Sequence, residues 1–191
     1  MKHIGLLGGS FDPPHRGHLY ISLKAKKILS LDEIWWLVTP QNPLKISKPA
    51  TYSERIKNCF KITKGQPIII KEIEKKINSK YTYQTLKYLQ NHYSNIKFYW
   101  LIGSDNLINF HKWQKWRNIF NEISIVIFKR HNYNNMALKS IASKTFLHSQ
   151  IKSFKLKQIY FNTLPSWAWV NNKEIKISST EIKQQRKILR S

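Results

Sequence analysis

The sequence predicts an α/β fold, with a doubly wound, mostly parallel sheet and helices on both of its faces. Three observations carry the prediction. Short apolar runs alternate with segments of helical periodicity from one end of the chain to the other. Several of those runs are apolar throughout, as strands covered on both faces are. No repeat, low-complexity linker or compositional break interrupts the alternation, so residues 1–191 are expected to form one domain.

Taken in order, HIGLLG (3–8) reads as the first strand, closed by glycines. LYISLKAKKIL (19–29) sets Leu19, Leu23, Ala25 and Ile28 near helical spacing, with lysines opposite. EIWWLVTP (33–40) is a continuous apolar strand stopped by Pro40, and SERIKNCFKIT (53–63) is a helix opening on a Ser cap. PIIIKEIE (67–74) reads as strand, and YTYQTLKYLQNHY (81–93) as helix with Thr82 as its cap. IKFYWLIG (96–103) is a strand followed by the short helix SDNLINF. EISIVIFKR (122–130) is another strand, QIYFN (158–162) the last one, and SSTEIKQQRKIL (178–189) the closing helix. In such a Rossmann-like arrangement ligands bind beyond the carboxyl ends of the strands, near the switch in strand order. Residues 8–18, 39–45, 103–105 and 129–130 all follow strand ends and are expected around one crevice.

Composition excludes several classes. Hydrophobic content of 41% with 13% aromatic residues is that of a globular chain. No apolar run approaches the roughly 18 residues that span a bilayer, so no membrane segment is expected. A lone cysteine, Cys59, rules out an internal disulfide framework and suits a reducing, cytoplasmic setting. The formal charge of +23 suggests anionic partners. Lysine outnumbers arginine 27 to 6, however, and the lysines run from Lys2 to Lys187 without a basic tail. Nucleic-acid recognition favours the arginine fork, so a solvated basic surface that attracts small anions is the better reading.

The densest signal is GGSFDPPHRGH (8–18), which gathers three glycines, two prolines and two histidines between the first strand and the first helix. Gly8 and Gly9 allow positive φ and close backbone approach to a ligand. The helix beginning near Gly17 offers N–H groups to a phosphate. His15 and His18, three apart around that helix start, bring two imidazole donors to one bound group. Taken alone, a Gly-Gly turn, a capping histidine and a core histidine would explain these residues as well. Two histidines and one aspartate make a weak metal site, and neither GxGxxG nor GxxxxGK[ST] is present.

This stretch and ISSTEIK (177–183) resemble the two hallmarks of the HxGH nucleotidyltransferase superfamily, in the expected order near the two chain ends. Within it, the FDPPHRGH form, YTYQTL (81–86) and LIGSDNLINFHKW (101–113) resemble the bacterial nicotinate-nucleotide adenylyltransferases. The resemblance spans nearly the whole chain and is weakest over 131–157. It implies transfer of the AMP part of ATP to nicotinate mononucleotide, giving deamido-NAD and pyrophosphate. The attacker is already an anionic phosphate oxygen, so the reaction needs no covalent enzyme intermediate.

Residue by residue, the resemblance implies that His15 and His18 contact the ATP phosphates, with His18 leading at the α-phosphoryl group. Gly8, Gly9, Ser10 and Phe11 would lie against the nucleotide, with Gly103 and Asp105 at the end of the 96–103 strand close by. Ser178, Ser179 and Thr180 would hold phosphate, although an ordinary Ser/Thr cap explains them physically too. The relatives commonly carry arginine where Lys183 stands, and Arg186, three residues on, is expected to share that role. Thr82, Tyr83 and Trp113 would hold the nicotinate end, with Asp105 near both nucleotides. Lys45 would face the incoming phosphate as a third catalytic residue, and Leu44 stands where the relatives often carry histidine. Mg2+ is expected with ATP, held by phosphates and waters rather than by protein. Expected partners are ATP and nicotinate mononucleotide, with no specific nucleic acid, and assembly into a homo-oligomer stays open.

The alternatives are a sister adenylyltransferase acting on nicotinamide mononucleotide or phosphopantetheine, a cytidylyltransferase, and a basic nucleic-acid-binding protein on the same scaffold. Class I aminoacyl-tRNA synthetases carry a similar turn, but KMSKS is absent and 191 residues leave little room for anticodon recognition.

Overall fold

The computed structural model describes residues 1–44, 49–160, 163–173 and 177–188. Seven strands form one sheet: β1 (Lys2–Gly9), β2 (Glu33–Val38), β3 (Ile68–Lys71), β4 (Ile96–Gly103), β5 (Ser124–Phe128), β6 (Gln150–Ile151) and β7 (Trp167–Val170). Their order is β3-β2-β1-β4-β5-β7-β6 and every pairing is parallel. The helices are α1 (Arg16–Ile28), α2 (Tyr52–Thr63), α3 (Ile73–Lys76), α4 (Thr82–His92), α5 (Ser104–Ile108), α6 (Trp116–Glu122), α7 (Asn134–Leu138), α8 (Ile141–Thr145) and α9 (Ser179–Ile188).

The pleat sends alternate strand residues into two cores. Ile4, Leu6, Trp35, Leu37, Phe98 and Trp100 face one side, where Leu86 and Leu89 of α4 and Ile119 and Phe120 of α6 cover them. Leu7, Ile34, Trp36, Val38, Tyr99 and Leu101 face the other side, under Ile21 and Ala25 of α1 and Cys59 of α2. Burial on both faces is why EIWWLV and FYWLIG carry no polar alternation.

Several expectations are corrected. No strand covers 158–160: residues 153–160 are 3-10 turns, and 161 and 162 lie outside the described residues. The last described strands are instead β6 and β7, and WAWV pairs with β5 from Ile125↔Trp167 to Phe128↔Val170. The 67–74 strand ends at Lys71, because Ile73 and Glu74 turn inward as the buried side of α3. The cap of α2 is Thr51, whose hydroxyl accepts the Glu54 N–H at 3.3 Å, rather than Ser53. Thr82 is the first residue of α4 rather than its cap.

The switch in strand order falls between β1 and β4, since β2 and β3 lie to one side of that pair and β5, β7 and β6 to the other. Pairing between β1 and β4 stops at Leu7↔Leu101, two residues short of Gly9 and Gly103. The strand ends part there and open a crevice at the carboxyl edge of the sheet.

Candidate active site

Gly8 stands at the floor of the crevice, where a Cβ would come within 2.8 Å of the Trp100 ring. Its missing side chain therefore admits an indole under the strand. The positive φ expected at Gly8 and Gly9 is not used: both residues belong to β1, and the left-handed conformation falls on Phe11 (φ 47°). Phe11 is buried, stacked on Trp36 at 4.6 Å and tilted against His18 at 4.9 Å. That packing anchors the turn to the α1 side of the sheet.

The two histidines form a reciprocal cap at the start of α1. His15, in extended backbone, accepts the Gly17 N–H on Nδ1 at 3.1 Å, and His18 Nδ1 accepts the His15 N–H at 3.2 Å. In a neutral imidazole the proton then belongs on Nε2, so each ring presents a donor on its far side. Burial, and secondly the Arg130 charge, lower the His15 pKa to about 4, with Glu181 opposing. His15 is 4% exposed, and its ring lies 3.8 Å from that of His18. Neutral N–H donors beside a helix N-terminus suit an anion without needing a proton from it.

Two arginines bind the surrounding loops together. Arg55 of α2 is 1% exposed and donates to four carbonyl oxygens: Ser10, Thr39 and Pro40 at 2.7 Å each, and Ala50 at 3.1 Å. It fastens the loop after β1 to the loop after β2. Arg130, just past β5, pairs with Asp105 at 2.9 Å and donates to the Ile177 carbonyl at 3.0 Å. It joins the ends of β4 and β5 to the approach of α9. Opening α9, the Ser178 hydroxyl accepts the Glu181 N–H at 3.2 Å, and the Ser179 hydroxyl donates to the Pro13 carbonyl at 2.9 Å.

Around this framework lie two adjoining cavities. The first, of about 540 Å³, is lined by Gly8 to Phe11, by His15 and His18, by Gly103 and Asp105, and by Ser178, Ser179 and Thr180. The expected ATP end is thus largely brought together, from β1, β4, α1 and α9. The second, of about 300 Å³, is lined by Thr82, Trp113, Tyr81, Trp100, Asn106 and Glu74, among others. Gly8, Gly9, Asn42, Asn106 and Trp113 border both. Phe110 stacks on Trp113 at 4.6 Å and props its ring between the two spaces.

Two expected residues stand elsewhere, and a third reaches only one of the two cavities. Tyr83 packs on the core outside both cavities, under the ammonium groups of Lys115 and Lys87. At the start of a helix, successive side chains point in different directions, so Thr82 reaches the cavity and Tyr83 does not. Lys183 pairs with Asp12 and lines neither cavity. Asp105 borders the first cavity but not the second, because Arg130 holds it there. Lys45 and the side chain of Arg186 lie outside the described residues.

Sequence reasoning missed Arg55 and Glu74 as parts of the site. It placed Arg130 at the crevice, through its position just past a strand end, but assigned it no partner. Among the described residues no group of three or more His, Cys, Asp or Glu is placed to hold a metal ion, and no helix is long and apolar enough to cross a membrane.

Known proteins resemble this chain in sequence and in fold. The model of the cytidylyltransferase-like family matches residues 6–185. A protein of Ruegeria sp. (strain TM1040) named "Probable nicotinate-nucleotide adenylyltransferase" is 40% identical over 95% of this chain and 96% of its own length. One of the same name from Bradyrhizobium sp. (strain ORS 278) is 36% identical over 94% of each chain. Among solved structures, the Plasmodium falciparum nicotinic acid mononucleotide adenylyltransferase complexed with NaAD superimposes with a TM-score of 0.71. It is 22% identical, and the match covers 96% of this chain and 83% of that one. At that identity it shows a shared fold.

Proposed function

The chain belongs to the cytidylyltransferase-like family and, within it, to the nicotinate-nucleotide adenylyltransferases; from that premise we propose that it transfers the adenylyl group of ATP to nicotinate mononucleotide. The products are deamido-NAD and pyrophosphate, and the whole chain acts as one nucleotidyltransferase domain. The observation that carries the reading is the junction of the two cavities at Gly8, Gly9 and Trp113, next to two imidazole rings whose Nδ1 atoms are already occupied.

ATP takes the first cavity, with its phosphates at the start of α1 and near Ser178 to Thr180. The mononucleotide takes the second, its pyridine ring between Trp113 and the start of α4 at Tyr81 and Thr82. The acceptor phosphate then meets the α-phosphorus at the junction, in line with the departing pyrophosphate. The nucleophile is already ionised, so the protein has to align the groups and neutralise the charge that develops. Nε2–H of His18, with that of His15 beside it, donates to the phosphoryl oxygens as negative charge accumulates on them. A low His15 pKa keeps this donor neutral across the working range and leaves proton transfer out of the step.

Arg130 holds Asp105 and the Ile177 carbonyl, and so keeps the β4 edge and the α9 approach at a fixed separation across the ATP cavity. Lys45 and Arg186 would add charge on the phosphate side. Magnesium enters with ATP as part of the substrate, and a chain with 10 acidic against 33 basic residues suits an ion held by phosphates and water. We place the reaction in the cytoplasm, where ATP is available.

The test is pyrophosphate release with magnesium and either ATP or CTP, offered nicotinate mononucleotide, nicotinamide mononucleotide or phosphopantetheine. ATP with nicotinate mononucleotide is expected to give the highest kcat/KM. Preference for a non-pyridine acceptor, or for CTP, refutes the reading. Activity on none of them, with salt-dependent binding to nucleic acid, favours the basic binding protein instead.

A further inference from the structure

We propose that Glu74 is a specificity-determining residue of the second cavity, where its carboxylate is the counter-charge to the cationic pyridinium ring of the acceptor. The inference rests on the reading of that cavity as the nicotinate mononucleotide site. In a chain with 10 acidic against 33 basic residues, an acid that is 3% exposed stands out. Of the described residues lining this cavity, Glu74 is the only acidic one. It makes no ion pair among them, and its Oε2 is buried without a hydrogen-bond partner among them. The Thr39 side chain favours its ionised form. It does not cap its own helix either, since α3 opens on Glu72 with no side-chain cap bond. A half-satisfied buried carboxyl is costly unless something else uses it.

The chemistry of the acceptor supplies that use. Its ring nitrogen bears the ribose and is permanently cationic, while its phosphate and ring carboxylate are anionic. Lys80 and Lys112 border the cavity and suit the anionic groups, but they repel the ring nitrogen. The indoles of Trp100 and Trp113 offer flat walls to the ring. Among the described lining residues, Glu74 alone can offer the ring a negative charge.

Protonation follows the same geometry. Burial raises the Glu74 pKa to about 7, and the Thr39 hydrogen bond opposes it. Lys80 and Lys112 line the same cavity. From α2, Tyr52 faces Glu74 as a neutral phenol, its own pKa raised by burial and by Glu72 and Glu74. Arg55 and Lys75 lie over the Tyr52 ring. An arriving cation stabilises the ionised carboxyl, so binding lowers its pKa and releases a proton. Affinity for the cationic ring therefore falls as pH falls through about 7.

The experiment is titration calorimetry on the full chain at pH 7, in two buffers of different ionisation enthalpy. The ligands are nicotinate mononucleotide and its 1,4-dihydro form, which keeps ribose, phosphate and carboxylate but has a neutral ring. Wild type is expected to bind the cationic form about tenfold more tightly, and to release more protons with it than with the dihydro form. Glu74→Gln is expected to weaken the cationic ligand alone and erase the difference. Equal weakening of both ligands marks a hydroxyl contact or a packing role and overturns the proposal, as does an unchanged preference. If Glu74→Gln does not fold, the wild-type proton count decides: equal release with the two ligands overturns the proposal. ATP binding with no binding of either mononucleotide overturns the acceptor reading itself, and this inference with it.

Discussion

Arg55→Ala isolates the force that holds the site's two loops together. The guanidinium is almost fully buried and makes four hydrogen bonds, three of them at 2.7 Å, to carbonyls after β1, after β2 and just before α2. Truncation leaves those oxygens without their donor in a space that water enters only in part. At about 1 kcal/mol for each bond after such relaxation, the loss is about 4 kcal/mol, within the range for breaking a buried charged group out of its partners. With a urea m-value of about 2 kcal/mol/M, the unfolding midpoint falls by about 2 M. Arg55→Lys places a single ammonium where a planar fork served four acceptors, and is expected to recover about half. The assay is equilibrium urea unfolding followed by tryptophan fluorescence. A midpoint shift under about 0.5 M for Arg55→Ala would mean that the carbonyls find other partners, and the clamp would be no clamp.

Other predictions bear on the helix start. His18→Ala is expected to lower kcat by about 10²–10³ and stability by only about 1 kcal/mol, whereas His18→Asn restores the cap but not the turnover; pyrophosphate release and thermal melting separate the two effects. His15 has a folded pKa lowered to about 4 from 6.5. The unfolded chain therefore binds the proton first, and stability present above pH 6.5 is lost as pH falls toward about 4. The loss is roughly 3 kcal/mol, and a His15→Gln variant should lack it in paired urea titrations. Gly17→Ala ought to stabilise a helix by about 1 kcal/mol. Its Cβ would instead lie 2.9 Å from the His15 ring and 3.1 Å from Ile177, so no rise in Tm and about a tenfold loss of kcat/KM for ATP are expected. A more stable, fully active Gly17→Ala enzyme would refute the close fit.

How much was legible in the chain depended on the range of the interaction. The strands of the central sheet were readable because burial on both faces leaves an unbroken apolar run, as in EIWWLV and IKFYWLIG. WAWV was not, since four residues after a proline carry little pattern, and only pairing with β5 makes them a strand. QIYFN carried a better local pattern, yet Ile159 reaches the core from a 3-10 turn. The histidine turn was legible because its parts are neighbours in sequence. Arg55 and Glu74 were not, because each matters through partners distant along the chain: Ser10 and Thr39 for one, and a cavity floored by Gly8 and Trp100 for the other. Lys183 misled for the same reason, since its partner Asp12 lies 171 residues away.

The interlocked histidine pair also constrains how this turn can change. The two nitrogens that finish the helix belong to the same rings whose opposite nitrogens are proposed as the phosphate donors. A serine or aspartate, the usual improvement at a helix start, would secure the helix and silence the site. An alanine scan read by turnover alone would blur two injuries into one number. The position is therefore closed to stepwise improvement: stability here has to be sought at other ends of other helices, and the first turn of α1 is left as it is.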